Sequence, residues 1–345
     1  MSCSYPKCFQ PKAEKPSGGH WSQCETHLKR GREYAAQYRQ RKKAKMEPVA
    51  ESLAAEEPHE TEAPPVVCVS RIGDHAVYTG DCEDVLKAFP DLKADVALFS
   101  PPYNSHQKMY GDDAPFDDAL DETVYLLKMD RLFRILDCHL AENATVLMQL
   151  GYFERKPSLP FVLASEVERT TPWQIVDVIA WRKDKCVTQA SSSRALSRIC
   201  EWVFVFARKT EVKTYKTNRK QISRSPTGQP FFEIAYNMVL APNSDGLGGP
   251  NGATFSRELA SKLLDLYAAP DAVVLDPFCG SGTVLVTAAL TGRRGIGIDI
   301  WKEMTELTCE RLYHVAENDC DIDGQTVQEA WTKTHKKAVA TLRAE

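Results

Sequence analysis

Between residues 76 and 299, short apolar runs closed by small or polar residues alternate with stretches whose apolar positions recur every three or four residues. The runs read as buried strands and the stretches as helices packed on them. Strands are predicted at residues 76–78, 96–99, 146–150, 174–181, 202–206, 273–275 and 295–298, the fourth and fifth forming a hairpin pair at the edge of the sheet. The clearest helix carries Tyr125, Met129, Leu132, Phe133, Leu136 and Leu140 on one face. Others follow Asp81 (through Val85, Leu86 and Phe89), span residues 255–266, start at Val284, and span 305–315. Beyond Glu317 the pattern is only weakly amphipathic. Strands alternating with helices predict an α/β fold, a mostly parallel seven-stranded sheet flanked by helices, with ligands at the carboxyl ends of the strands.

Charge divides the rest of the chain. Residues 1–46 hold eleven Lys or Arg against three Glu, a balance of +8 that attracts polyanions. Residues 28–46 read as a basic helix with Tyr34 and Tyr38 one turn apart. Residues 47–65 carry six Glu, four Pro and no Lys or Arg, the composition of a disordered acidic linker. The main domain is then residues 66–345, ample for one large α/β unit. No apolar run approaches the eighteen or so residues of a membrane span. The amino terminus lacks an apolar signal core, so the expectation is a cytoplasmic protein without a membrane partner.

Two stretches carry chemistry. Ser100-Pro101-Pro102-Tyr103 closes the run at 96–99, and two successive prolines end the strand rigidly, presenting carbonyls and the Tyr103 ring outward. Residues 273–283 read VVLDPFCGSGT: an apolar run, an acid, and small residues leading into a helix. Gly280 and Gly282 let the turn approach a ligand closely, and the helix start offers free N–H groups to a carboxylate. Asp299, about twenty residues past the turn at the tip of the next strand, is placed to accept two ribose hydroxyls.

Together with TGD at 79–81, IAWRKDK at 179–185, EWVFVFARK at 201–209 and ATF at 253–255, these stretches resemble the S-adenosylmethionine-dependent amino-methyltransferases of DNA. The order is the permuted one, with the catalytic motif before the cofactor motif, and the resemblance covers roughly residues 75–312. Asn251 and Ser256 stand where that family usually has histidine and proline. The resemblance implies a Rossmann-like methyltransferase fold, double-stranded DNA as partner and S-adenosylmethionine as cofactor. It makes Ser100, Pro101, Pro102 and Tyr103 catalytic. It assigns cofactor binding to Asp81, which also suits a helix N-cap, and to Thr254, Phe255, Asp276, Pro277, Phe278, Gly280, Ser281, Gly282, Thr283 and Asp299. An insert at about 209–252, with Lys213, Lys216, Arg219, Lys220 and Arg224, would read the target sequence. The loop at 104–116 would fold over the bound base. In that family, serine at the first motif position is commoner with cytosine, so the expected product is N4-methylcytosine, with adenine N6 as the alternative target. The rival of another class is a DNA-binding protein whose catalytic half is inert. A restriction endonuclease can accompany such enzymes, and nothing in this sequence specifies one.

Of the eleven cysteines, eight from Cys68 onward are scattered singly, as small core residues are. The others form short-spaced pairs, Cys3 with Cys8 and Cys24 with His27, a ligand set for tetrahedral structural zinc that resembles the small zinc knuckles attached to DNA enzymes. Metal analysis of protein purified without chelator is expected to find about one zinc per chain, lost in Cys24→Ser. Metal-free protein would reduce the cluster to ordinary thiols.

Overall fold

The computed structural model describes residues 68–104, 115–116, 118–151, 156–185, 193, 196–245 and 256–322; the zinc-knuckle segment and acidic linker lie outside them. In chain order the elements are β1 (Cys68–Ile72), β2 (His75–Thr79), α1 (Cys82–Ala88), β3 (Ala94–Phe99), α2 (Glu122–His139), β4 (Leu140–Leu150), α3 (Leu159–Thr170), β5 (Trp173–Lys183) and β6 (Cys200–Arg208). Then follow β7 (Gln221–Arg224), β8 (Pro230–Phe232), β9 (Met238–Ala241), α4 (Arg257–Tyr267), β10 (Val273–Asp276), α5 (Thr283–Leu290), β11 (Arg294–Asp299) and α6 (Lys302–Asn318). No described helix is long and apolar enough to cross a membrane.

One sheet takes nine of these strands, in the order β1-β2-β11-β10-β3-β4-β6-β5-β9. The seven central ones are the seven predicted from the sequence, and β1 and β9 extend the two edges. From β2 to β4 all neighbours are parallel, whereas β6 runs antiparallel between β4 and β5. The expected hairpin pair is therefore present but not at the edge, because β9 adds in parallel outside β5.

Alternation along each strand divides the core. Ala97, Phe99, Val146, Met148, Phe204 and Phe206 face one side with Leu86, Met129, Leu132, Phe133, Leu136, Leu163 and Val167, so α1, α2 and α3 cover that face. Val96, Leu98, Leu147, Val203 and Val205 face the other with Leu259, Leu263, Leu264, Leu285, Leu312 and Val315, bringing α4, α5 and α6 onto it. Each fully buried Leu or Phe contributes roughly 1.5–3 kcal/mol by removal from water. The buried Trp173 indole N–H donates to Phe133 O at 2.9 Å, fastening β5 to α2.

Between β11 and α5 the packing demands glycine. A Cβ on Gly297 would lie 2.6 Å from Leu285 Cδ2 and 3.0 Å from Cys279 Sγ. Gly297→Ala is expected to destabilise the chain by about 1–3 kcal/mol in urea unfolding, the range for an overpacked core. An unchanged midpoint would mean that α5 is free to shift.

Candidate active site

Because β2, β3, β4, β10 and β11 are parallel, their carboxyl ends open on one edge of the sheet, which β5 and the start of β6 share. A cavity of about 710 Å³ lies there. Among the described residues it is lined by Asp81, Ser100, Pro102, Tyr103, Asp276, Pro277, Phe278, Gly280, Ser281, Thr283 and Asp299 from the predicted set. Pro101 is buried and is not among the lining residues. Gly282 lies behind the turn, where a Cβ would strike Thr308 at 2.6 Å. Thr254 and Phe255 lie outside the described residues, as does most of the loop expected to cover the base, although Pro115 and Phe116 do reach the cavity wall.

The turn after β10 is held from several sides. Gly280 and Gly282 take positive φ, +50° and +81°, a region that suits glycine. Space is open where a Cβ on Gly280 would stand, whereas Gly282 caps the start of α5. Asp299 binds its neighbours at both oxygens: Gly280 N donates to Oδ2 at 2.8 Å and Trp301 N to Oδ1 at 2.9 Å. Two of the carboxylate's four acceptor positions remain. Asp276 accepts from Phe278 N at 3.0 Å. Burial pushes its carboxyl well above the usual carboxylate range, and the charge of Asp299 adds to the effect. Burial raises Asp299 as well, against the two N–H groups that it accepts. Just after β2, Gly80 N donates to Asp299 O at 2.9 Å, and Asp81 caps α1 by accepting from Glu83 N at 2.8 Å.

Behind the turn sits Arg311 of α6, fully buried. It donates to Ser281 O at 2.6 Å, to Asp321 Oδ2 at 2.6 Å and to Asp245 Oδ2 at 3.0 Å. Arg257 shares Asp321 at 2.8 Å, and Thr283 Oγ1 donates to Asp245 at 2.6 Å. Ser256 is buried and caps α4 by accepting from Leu259 N at 3.3 Å, so its departure from the family's proline supplies an N-cap.

At the end of β3, Ser100 Oγ donates to Tyr103 Oη at 3.2 Å, and Tyr103 Oη donates to Gln149 Oε1 at 2.6 Å. Asn104, at φ +55°, donates through its side chain to Leu120 O at 3.0 Å and through its backbone to Asp118 at 2.9 Å, closing the turn. Gln149, Lys183, Glu201, Asn243 and Trp301 also line the cavity, and none was singled out from the sequence for a role in the site. Of these, Gln149 stands out as a polar residue inside the apolar run at 146–150, and Lys183 and Glu201 fall within the stretches IAWRKDK and EWVFVFARK.

The described part of the insert forms a small antiparallel ribbon of β7 and β8 before β9 returns to the sheet. It is exposed and apolar as well as basic: Ile234 is 79% and Tyr236 76% accessible, beside Ile222, Phe231 and Phe232. Among the described residues, no group of three or more His, Cys, Asp or Glu is arranged to hold a metal.

A sequence model described as DNA methylase matches residues 94–310. The type II methyltransferase M.ScaI of Streptomyces caespitosus is 21% identical over 261 residues, 69% of this chain and 81% of its own. The PvuII DNA methyltransferase, described as cytosine-N4-specific, superposes with a TM-score of 0.54 at 15% identity over 75% of this chain and 92% of its own. A putative DNA modification methylase of Thermus thermophilus, solved complexed with S-adenosyl-L-methionine, gives 0.50 at 21% identity over 69% and 93%.

Linkage gives Asp276 a measurable sign. Its folded pKa lies above the unfolded value, so its stability contribution is fully present below the unfolded pKa and is lost as pH rises through the folded one. Asp276→Asn keeps an acceptor for Phe278 N–H without the charge. In ligand-free protein its Tm is expected to exceed the native one at about pH 8 and to converge with it toward about pH 4. A lower Tm throughout would make the ionised carboxylate a stabilising group.

Proposed function

The chain belongs to the DNA methylase family, and from that membership we propose that it transfers a methyl group from S-adenosylmethionine to the N4 amino group of cytosine in double-stranded DNA. The observation that carries the reading is the meeting, in one cavity, of the Ser100–Tyr103 turn with the glycine turn at 276–283. The cavity volume falls within the ordinary range for small-molecule sites, roughly 300–1,000 Å³. The open space at Gly280, where any side chain would intrude, fits a closely approaching ligand.

In this reading Asp299 uses its remaining acceptor positions for the ribose hydroxyls. The N-terminus of α5 faces the methionine carboxylate, Asp276 balances the methionine ammonium, and Asp81 receives the adenine amino group. When bound, S-adenosylmethionine supplies an electrophilic methyl whose S–C bonding pair stays on sulfur. The amino nitrogen of cytosine is conjugated with its ring and is a poor nucleophile. A hydrogen bond from one of its N–H groups to Ser100 Oγ draws the nitrogen toward tetrahedral geometry and frees its lone pair for the new N–C bond, after which one amino proton leaves to solvent. Reaching that position requires the base to leave the duplex stack, at a cost of a few kcal/mol, with the Tyr103 ring as a stacking surface. The basic and aromatic ribbon of the insert suits contact with the duplex, Arg219 and Arg224 toward phosphates and the exposed rings toward bases. In the family serine at the first position of this motif, here Ser100, is commoner with cytosine, and that association favours cytosine over adenine.

Duplex DNA methylated with labelled cofactor and digested to nucleosides should carry the label in N4-methylcytidine, as identified by mass. Label in N6-methyladenosine would change the target base, label on cytosine carbon would change the mechanism, and absence of label would overturn the activity.

A further inference from the structure

The hydrogen-bond chain that starts at Ser100 continues past Gln149. Gln149 Nε2 donates to Glu201 Oε2 at 2.7 Å, and Lys183 Nζ donates to Glu201 Oε1. The register that pairs Trp181 with Glu201, and Leu150 with Trp202, gathers these side chains at the cavity edge. Lys183 also lies over the Trp181 ring, 4.9 Å from its centroid, which holds the ammonium in place. Gln149 is 1% exposed, so its amide is not reoriented by water.

This chain has a direction, and chemistry fixes it from the far end. A carboxylate paired with an ammonium has no proton to give, so Gln149 must turn its NH₂ toward Glu201. Its carbonyl then faces Tyr103, which spends its one phenolic proton there. The Tyr103 oxygen is left to receive, and Ser100 gives it its single proton. What Ser100 offers to the cavity is therefore lone pairs. Gly151 provides separate support: a Cβ there would lie 2.8 Å from Glu201 Oε1 and 3.1 Å from Tyr103 Cε2, so the carboxylate and the phenol ring close on a space that only glycine leaves open.

We infer that Glu201, anchored by Lys183, is a positioning residue that sets the direction of the Ser100–Tyr103–Gln149 chain and so makes Ser100 a hydrogen-bond acceptor for the target amine. The inference rests on the amine methylation proposed above and adds to it a group that touches neither the reacting nitrogen nor the methyl donor. Glu201→Gln reverses the direction, because Lys183 takes the carbonyl of the new amide, whose NH₂ then faces Gln149 and draws the Gln149 carbonyl away from Tyr103. The exchange Gln149→Glu with Glu201→Gln restores it: the carboxylate at 149 accepts from Tyr103 and from the amide at 201, whose carbonyl accepts from Lys183.

The test is single-turnover methylation of duplex DNA by the full chain, with cofactor Kd and DNA KM measured alongside. Glu201→Gln should lower the methylation rate about tenfold or more with both binding constants within about twofold, and the exchange should return it to within about threefold of the native rate. On a Ser100→Ala background Glu201→Gln should cost nothing further, since its effect passes through Ser100. A native rate in Glu201→Gln, an equal loss on the Ser100→Ala background, or an exchange no faster than the single variant would overturn the inference. If the single variant does not fold, the exchange still decides: a rate within about threefold of the native one supports the inference, and a loss of tenfold or more overturns it. Native protein that labels no DNA would instead overturn the activity itself.

Discussion

β3 and β10 lie side by side for only two residue pairs, Val96 beside Val274 and Ala97 beside Leu275, yet this parallel contact makes the site. It brings Ser100 and Asp276, remote in the chain, out of the sheet as neighbours. A slip of one residue would exchange the faces of Leu98 and Phe99 and drive each toward the wrong helices. Asp95 holds the register at the other end, its carboxylate accepting from Val273 N at 2.7 Å. The apolar alternation that builds the core thus also aligns the two turns, and the site costs the fold no separate device.

What could be read from the sequence follows from how strongly each feature is written in it. Runs such as Val96–Phe99 and Val203–Phe206 are buried on both faces and admit little but apolar residues, so they stand out. β1, reading CVSRI, shows neither a continuous apolar run nor a period-two alternation, and β9 is four residues inside a turn-rich insert; neither rises above its surroundings. α3 begins with Leu159 and Pro160, and its buried face of Leu159, Leu163, Ala164 and Val167 is short beside that of α2. In the site, the glycine turn was legible because positive φ and close packing leave few alternatives to glycine. Gln149, Lys183 and Glu201 were not, since their meeting is a product of strand register and appears only when β4, β5 and β6 are paired.

Arg311 shows how the glycine turn keeps its shape. One guanidinium ties the Ser281 carbonyl to Asp245, just after β9, and to Asp321, beyond α6. All three charged groups are fully withdrawn from water. Such a set is stable only while complete; taking one partner from a buried ion pair typically costs about 3–5 kcal/mol, because the charge left behind has no solvent. The wall of the cavity is therefore locked to the end of the insert, so the segment that carries the exposed ribbon shares a buried joint with the glycine turn.

The sheet order also has a consequence in time. β2 and β3 are consecutive strands, yet β11 and β10, the last two strands made, lie between them. While the chain is being synthesised, one edge of β2 and one edge of β3 carry unanswered backbone groups for the production of about 200 residues, roughly ten to forty seconds at ordinary elongation rates. Such edges are templates for pairing with the wrong strand or another chain. The final pair must enter between strands already made, so the nascent protein depends on whatever shields those edges until residues 273–299 emerge, and the ligand cavity is among the last features of the fold to exist.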